Sequence, residues 1–323
     1  MRSLSFSTEV KNELARVTGS HNCCAAAELA ALIRMGGAMS IGGNANLGIN
    51  FSSENAAVTR KALGLIKGYS NVKTEVVVTR GRRLKKNNTY HVRVVPSPGV
   101  NQLLTDLGIM RDGSLNVLSD RAILRKACCR RAYLRGAFLG AGSVNRPEGS
   151  YHLELVTGNV DLAKSLVQVM KSLGLPGRMT DRKDDYIVYL KDGNAITTFL
   201  QLIGAHNALL TFENVRVVKD MRNQVNRLVN CETANLQKTV NAAVRQVDSI
   251  KLIVEKLGLD KLPPPLREVA EARLAYPEAT LSELVEALDG RIGKSGINHR
   301  LRKLGEIAQS LEARRPETEM DKQ

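Results

Sequence analysis

The sequence predicts a duplicated α+β domain followed by a separate all-α helix-turn-helix domain, and three observations carry that prediction. Two alanine- and glycine-rich helical stretches, residues 23–41 and 128–144, each open on a Cys-Cys pair and close on Gly, Ala, Ser and a β-branched residue. Each stretch is succeeded by the same series of elements: strand, helix, two strands, helix. Strand signals then stop near Asn214, and short helical segments come after Pro263-Pro264-Pro265. The expected organisation is a first repeat over residues 1–118 and a second over 119–212. A helical connector over 213–260, a helix-turn-helix domain over 261–313 and a polar tail over 314–323 complete it.

At 323 residues the chain is long enough for two or more domains with real cores. It has no run of about eighteen apolar residues, so no membrane insertion is expected. The opening Met1-Arg2-Ser3-Leu4-Ser5-Phe6 lacks the apolar core of a signal peptide, which points to the cytoplasm. Lys plus Arg number 47 against 32 Asp plus Glu, a net charge of +15. That surplus favours a polyanion, DNA or RNA ahead of an anionic membrane surface. Aromatic residues make up only 4% and Trp is absent, which argues against single-strand binding by base stacking. The five cysteines, Cys23, Cys24, Cys128, Cys129 and Cys231, do not read as a disulfide framework. Adjacent cysteines lack the Cys-x-x-Cys spacing of zinc sites. With His21 near the first pair, a zinc site joining the repeats is the minor alternative; both pairs are expected to be small packing residues, with no metal and no cofactor.

Residues 7–16 read as a helix capped by Ser7 or Thr8, with Val10, Leu14 and Val17 on one face. In the motif helices each glycine costs about 1 kcal/mol against alanine, so a packing reason is needed. Gly136 and Gly140 share a helix face, and the expected reason is a tight crossing of the two motif helices. A turn at Gly42-Gly43-Asn44 leads to a strand over 47–51 and an amphipathic helix over 54–68. Strands over 74–78 and 90–95 flank a basic tip, residues 80–88, and 100–107 is a short helix. The second round gives a basic approach over 121–131, the second motif helix, a strand over 151–156 and a helix over 160–173. Strands over 178–181 and 186–190 and a closing helix over 195–203 end it.

Residues 215–229 carry Val217, Val218, Met221, Val225 and Leu228 at helical spacing. A break is expected at Cys231-Glu232-Thr233-Ala234-Asn235, then a second long helix over 236–257. This connector reads equally well as a solvated spacer or as a binding element. The three prolines mark a boundary, because proline lacks the N–H and fixes φ. A helix over 266–275 comes next, and Thr280-Leu281-Ser282-Glu283 fits a capping box. After Asp289-Gly290 and the turn Arg291-Ile292-Gly293, residues 294–307 form the last helix, with Ile297, Leu301, Leu304 and Ile307 facing in.

In a helix-turn-helix the N-terminal residues of the second helix reach base edges in the major groove of double-stranded DNA. The candidate readers are Lys294, Ser295, Asn298, His299, Arg300, Arg302 and Lys303. Ser295 suits a cap or a phosphate contact, Asn298 can pair bidentately with adenine, and Arg300 or Arg302 with guanine. Lys294 and Lys303 suit phosphates. The competing reading is an ordinary charged face on a three-helix bundle. Arg80, Arg82, Arg83, Lys85 and Lys86 on the hairpin tip form a second candidate DNA surface, equally well a solvated loop. The matching tip Asp181-Arg182-Lys183-Asp184-Asp185 is a poor counterpart, which argues against twofold gripping of DNA. No Gly-x-Gly-x-x-Gly, Walker, His-x-x-x-His or Cys-x-x-Cys pattern is present, and no enzymatic site is expected.

The paired stretches resemble the LAGLIDADG signature of homing endonucleases. Aligned on the closing serine, Leu134-Arg135-Gly136-Ala137-Phe138-Leu139-Gly140-Ala141-Gly142 lies on that nine-residue motif. The earlier copy is then Ala31-Leu32-Ile33-Arg34-Met35-Gly36-Gly37-Ala38-Met39. The resemblance implies an acidic Mg²⁺ ligand at the eighth position, where this alignment has Ala38 and Ala141. A hard cation needs oxygen ligands, so a scaffold without its catalytic acids is expected. The layout as a whole resembles the WhiA family in its Bacillus-like form. The matching stretches include Ser5-Phe6-Ser7-Thr8-Glu9-Val10, Arg83-Leu84-Lys85-Lys86-Asn87-Asn88, Gly204-Ala205-His206-Asn207, Asp220-Met221-Arg222-Asn223 and the run from Lys294 to Leu304. That resemblance implies a nucleoid-associated DNA-binding protein tied to cell division and chromosome segregation. In actinobacteria it implies transcription regulation during sporulation, with a regulatory iron–sulfur protein as partner. Three readings stand: a DNA-binding regulator, a division-linked nucleoid scaffold acting through protein contacts, and an active homing endonuclease, which Ala38 and Ala141 disfavour. A monomer is compatible with all of these features.

Overall fold

The computed structural model describes residues 4–19, 21–80, 87–116 and 122–313. Two compact units divide the chain, Met1–Asp220 and Met221–Gln323. In the first, helix α1 (Phe6–Leu14) buries Phe6, Val10 and Leu14 at every fourth position, the spacing of one helix face. Its cap is Ser5, ahead of the expected Ser7 or Thr8, and the Ser5 hydroxyl accepts from the Thr8 amide.

Helix α2 (Asn22–Gly36) runs directly into strand β1 (Gly37–Ile41), which pairs with β2 (Leu47–Ser53). Then come α3 (Ala56–Tyr69), the hairpin of β3 (Thr74–Thr79) and β4 (Thr89–Val94), α4 (Pro98–Asp106), and a small hairpin of β5 (Met110–Arg111) and β6 (Ser114–Leu115). The second round is α5 (Ala127–Ala141), β7 (Gly142–Val144), β8 (Leu153–Thr157), α6 (Val160–Lys171), β9 (Arg178–Arg182), β10 (Asp185–Leu190) and α7 (Gly193–Ile203). Asn55 and Asn159 cap the corresponding helices α3 and α6, each accepting two backbone amides. The two sheets have the same antiparallel order, β1-β2-β4-β3 and β7-β8-β10-β9.

The main sheet of each repeat thus has four strands, one more than the sequence suggested. The extra strands, β1 and β7, lie inside the stretches that read as helix. Gly37 and Gly142 turn helix into strand in one step, both in extended conformation. A β-carbon on Gly37 would lie 2.6 Å from the Ile33 carbonyl oxygen, so only glycine fits the junction.

At the centre α2 and α5 cross. A β-carbon on Gly136 would fall 2.2 Å from the carbonyl oxygen of Glu28, and one on Gly140 would fall 2.8 Å from the Met35 β-carbon. The two helices end in register at Gly36 and Ala141. This shifts the serine-based alignment by two residues. Ala38 lies in β1, paired with Asn50, and Gly36 takes the place beside Ala141 at the helix base. Behind the crossing, the fully buried Glu28 pairs with Arg135 at 2.7 Å and Lys61 at 3.4 Å. Arg135 also donates to the Ile203 carbonyl at 3.2 Å, so the ion group ties both repeats together.

Helix α8 (His206–Lys256) begins in the first unit, where Glu13 caps it by accepting from the amides of Asn207 and Ala208 at 2.7 and 2.9 Å. The break expected at residues 231–235 is absent, and the helix is continuous through them. That stretch contains neither Gly nor Pro, and its polar residues are exposed and helix-compatible. The second unit holds the later part of α8 with α9 (Pro264–Ala275), α10 (Leu281–Ala287) and α11 (Lys294–Ala313). Its core joins Val269, Leu284, Ile297, Leu301 and Leu304 to Ile250 and Ile253 of α8, so it extends across the boundary expected at residue 261.

Candidate nucleic-acid interface

Three local devices fix the geometry of α9, α10 and α11. The capping box at the start of α10 is complete: the Thr280 hydroxyl accepts from the Glu283 amide at 3.3 Å, and the Glu283 carboxylate accepts from the Thr280 amide at 2.7 Å. Those hydrogen bonds from Thr280 hold the Glu283 carboxyl below its ordinary 4.5. Between α9 and α10, Arg273 is 2% exposed and donates to the carbonyls of Tyr276, Pro277 and Ala279, the last at 2.6 Å. Burial lowers this guanidinium from its ordinary value. Between α10 and α11, Asp289 and Gly290 both take positive φ, and the Gly290 amide donates to the Val285 carbonyl at 2.9 Å. This is the left-handed close of a helix that turns the chain into α11.

Buried Ile297, Leu301, Leu304 and Ala308 face α11 inward. The opposite stripe is Ser295, Asn298, His299 and Arg302, all exposed, and Glu306 closes it one turn on. At ~100° per residue, Lys294 and Lys303 fall on opposite margins of that stripe. Hydrogen-bonding side chains at the centre with lysines on either side suit a duplex groove bordered by two phosphate backbones.

Of the expected readers, Arg300 has another place and Ser295 loses one of its two expected roles. Arg300 is half-buried, donates to the Pro265 carbonyl at 3.4 Å and lies 3.9 Å from Glu268. It is a tie between α11 and α9, because its position leans towards the core side of the helix. Ser295 is not the cap: the Ile297 amide donates to the carbonyl of Gly293, and α11 begins at Lys294. Ser295 is an exposed first-turn residue instead.

The second candidate surface is only partly described. Arg80 is exposed at the end of β3, whereas Arg82, Arg83, Lys85 and Lys86 lie outside the described residues. By strand alternation, Ile49, Phe51, Val92 and Val94 take the inner face of the first sheet and Asn50, Ser52, His91 and Arg93 the other. Glu75 pairs across from Arg93. In the second sheet Glu154 faces the same way, bonded to Ser143 and His152. Each outer face thus sets an acid beside a base, Glu75 by Arg93 and Glu154 by His152. The sequence did not single out Glu268, Arg273 or Glu13: the partners of Glu268 and Glu13 lie in other elements, those of Arg273 are backbone carbonyls of the next turn, and only the capping-box spacing was a local signal.

A duplicated domain of two crossing helices over paired four-stranded sheets, joined to a helix-turn-helix unit, defines the class: a LAGLIDADG-like protein with a helix-turn-helix domain. Family profiles match in the same order, the WhiA N-terminal LAGLIDADG-like domain at residues 22–110, the WhiA LAGLIDADG-like domain at 130–222 and the WhiA C-terminal HTH domain at 225–308. The chain belongs to the WhiA family. The "Probable cell division protein WhiA" of Desulforamulus reducens is 51% identical over 311 residues, covering 95% of this chain and 96% of that protein. Its namesake in Anoxybacillus flavithermus is 51% identical over 321 residues, 98% of each chain. The crystal structure of full-length WhiA from Thermatoga maritima matches with a TM-score of 0.59 at 26% identity, covering 96% of this chain and 99% of that one.

Proposed function

We propose that this chain is a non-enzymatic DNA-binding protein of the cytoplasm and nucleoid, acting in cell division and chromosome segregation as a regulator of transcription. The exposed stripe Ser295, Asn298, His299 and Arg302, held by a helix-turn-helix whose first motif helix carries a complete capping box and bordered by Lys294 and Lys303, is the observation that carries this reading. The names of the relatives supply the link to cell division. The LAGLIDADG-like unit is a scaffold that has lost its nuclease chemistry. Gly36 and Ala141, at the bases of the crossing helices, have no side-chain carboxylate to give a hard cation. The nuclease reading is therefore set aside in favour of DNA binding alone.

A second reading, a scaffold acting through protein contacts, draws on α8. Val225, Leu228, Val229 and Leu236 are exposed on that helix. The ratio of specific to non-specific affinity separates the two. Selection of duplexes from a random pool by the full chain is expected to enrich one motif, bound roughly 10³-fold or more above bulk DNA at fixed salt. Enrichment of no motif would overturn the regulator and leave the scaffold; Mg²⁺-dependent cutting of the selected duplex would restore the nuclease.

A further inference from the structure

We propose that Cys23, Cys24, Cys128 and Cys129 form a tetrathiolate site for a single soft divalent cation, zinc by preference, which staples the two LAGLIDADG-like repeats together. Nothing in the spacing of the cysteines joins these pairs. The fold brings them together because α2 and α5 cross with their N-terminal ends side by side. The four sulfurs all lie within 4.8 Å of one another, and Cys128 Sγ and Cys129 Sγ are 4.0 Å apart. A tetrahedral ion with Zn–S bonds of about 2.3 Å needs sulfurs about 3.8 Å apart. Side-chain rotation of under about 1 Å closes the gap.

The two pairs are equivalent by position. Each occupies the second and third residues of its helix, after Asn22 in α2 and after Ala127 in α5. Each also contributes one buried thiol, Cys24 or Cys129, and one half-buried thiol, Cys23 or Cys128. An ion there would sit at the rim of the core, reachable from solvent. Its surroundings suit the charge: four thiolates around a divalent ion carry a net −2. Neither helix has an acidic residue in its first turn or a side-chain cap, so both positive helix ends face that charge uncompensated. Arg131 lines the same cleft as Cys24 and Cys128.

The donor set decides the ion. Four sulfurs exclude Mg²⁺ and Ca²⁺, which take oxygen, and favour zinc among common divalent ions. Sulfurs this close surround one ion more readily than a multi-iron cluster. Binding is a ligand exchange without redox change: four S–H bonds are lost, four metal–sulfur bonds form, and four protons go to solvent.

The test is metal analysis of the full chain purified without chelator, followed by anaerobic cobalt substitution of the apo protein. The expected result is a single zinc per chain. Cobalt should give thiolate-to-metal charge transfer and the visible bands of a tetrahedral site, and zinc should displace it. Cys23→Ser with Cys128→Ser removes the two half-buried ligands and is expected to lower metal affinity by at least ~10-fold. Circular dichroism checks that this variant is folded. If it does not fold, zinc content and the cobalt spectrum of the unaltered chain still decide the matter. Five titratable thiols in the native chain with no zinc and no cobalt bands would overturn the site. A disulfide linking the repeats, seen as a mass loss with two fewer thiols, would overturn it as well.

Discussion

Lys11 is a cation placed where a charge is disfavoured. Its ammonium lies 5.9 Å from the centre of the Phe138 ring, and burial lowers its pKa from the ordinary 10.5 to about 8. Between those two values the unfolded chain holds a proton that the folded chain has given up. Stability therefore rises with pH across that window, and the penalty of the buried charge is fully present below about 8. A gap of this size corresponds to roughly 3 kcal/mol at neutral pH. Lys11→Met keeps the length of the side chain and removes the charge. Urea unfolding of both proteins at several pH values is expected to show the variant more stable at pH 7, with the advantage shrinking towards pH 10.5. An advantage that did not change with pH would mean that packing, not charge, is responsible. Glu28 is the contrasting case. Fully buried, it sets one negative charge against the two positive charges of Arg135 and Lys61, so removing Glu28 leaves both cations uncompensated in the crossing, at a cost of about 3–5 kcal/mol.

Helix α11 separates residues that lie side by side in sequence. Arg302 is on the exposed stripe, Lys303 on its margin, and Arg300 is turned back onto α9. Their alanine variants should fail differently. Arg302→Ala is expected to cost about 1–3 kcal/mol on the selected duplex and to relax the choice of one base pair. Lys303→Ala should weaken all sequences alike and lower the slope of log affinity against log salt by about 0.9. Arg300→Ala should loosen the packing of α11 on α9 while leaving base preference intact. Fluorescence anisotropy across a salt series, with matched and single-mismatch duplexes, distinguishes the three patterns. The exposed face of α11 was legible in the sequence because inward Ile297, Leu301 and Leu304 repeat at helical spacing. Arg300 could not be placed that way, since its partner Glu268 sits on another helix. The same limit hid β1 and β7. Ala38, Met39 and Ile41 are apolar enough to continue a helix, and the glycine that ends it looked like one more packing glycine. The β5–β6 hairpin had a local signal, Asp112-Gly113 with both residues at positive φ, and was readable.

At the scale of the whole chain, the order of parts was legible and the boundary before the last one was not. Composition shifts at Pro263-Pro264-Pro265, which suggested a domain beginning near residue 261. The prolines only start α9; Pro264 opens that helix, where a missing N–H costs nothing. The core they precede reaches back to Ile250 and Ile253, both 0% exposed, and Ala243 and Val247 above them are buried too. Losing a buried isoleucine side chain costs roughly 2–5 kcal/mol, and two such losses rival the whole 5–15 kcal/mol that keeps a small domain folded. A fragment of residues 261–313 is thus expected to be unfolded, whereas residues 241–313 should melt cooperatively as a helical domain. Circular dichroism with thermal melting of the two fragments settles it; equal, cooperative melts would place the boundary at the prolines after all. Deletion of the helix-turn-helix unit in cells must respect the same core. A chain ending at residue 262 keeps Ile250 and Ile253 without their cover and invites aggregation, so lost DNA occupancy would be ambiguous. Ending before residue 241 removes the core together with its helix-turn-helix.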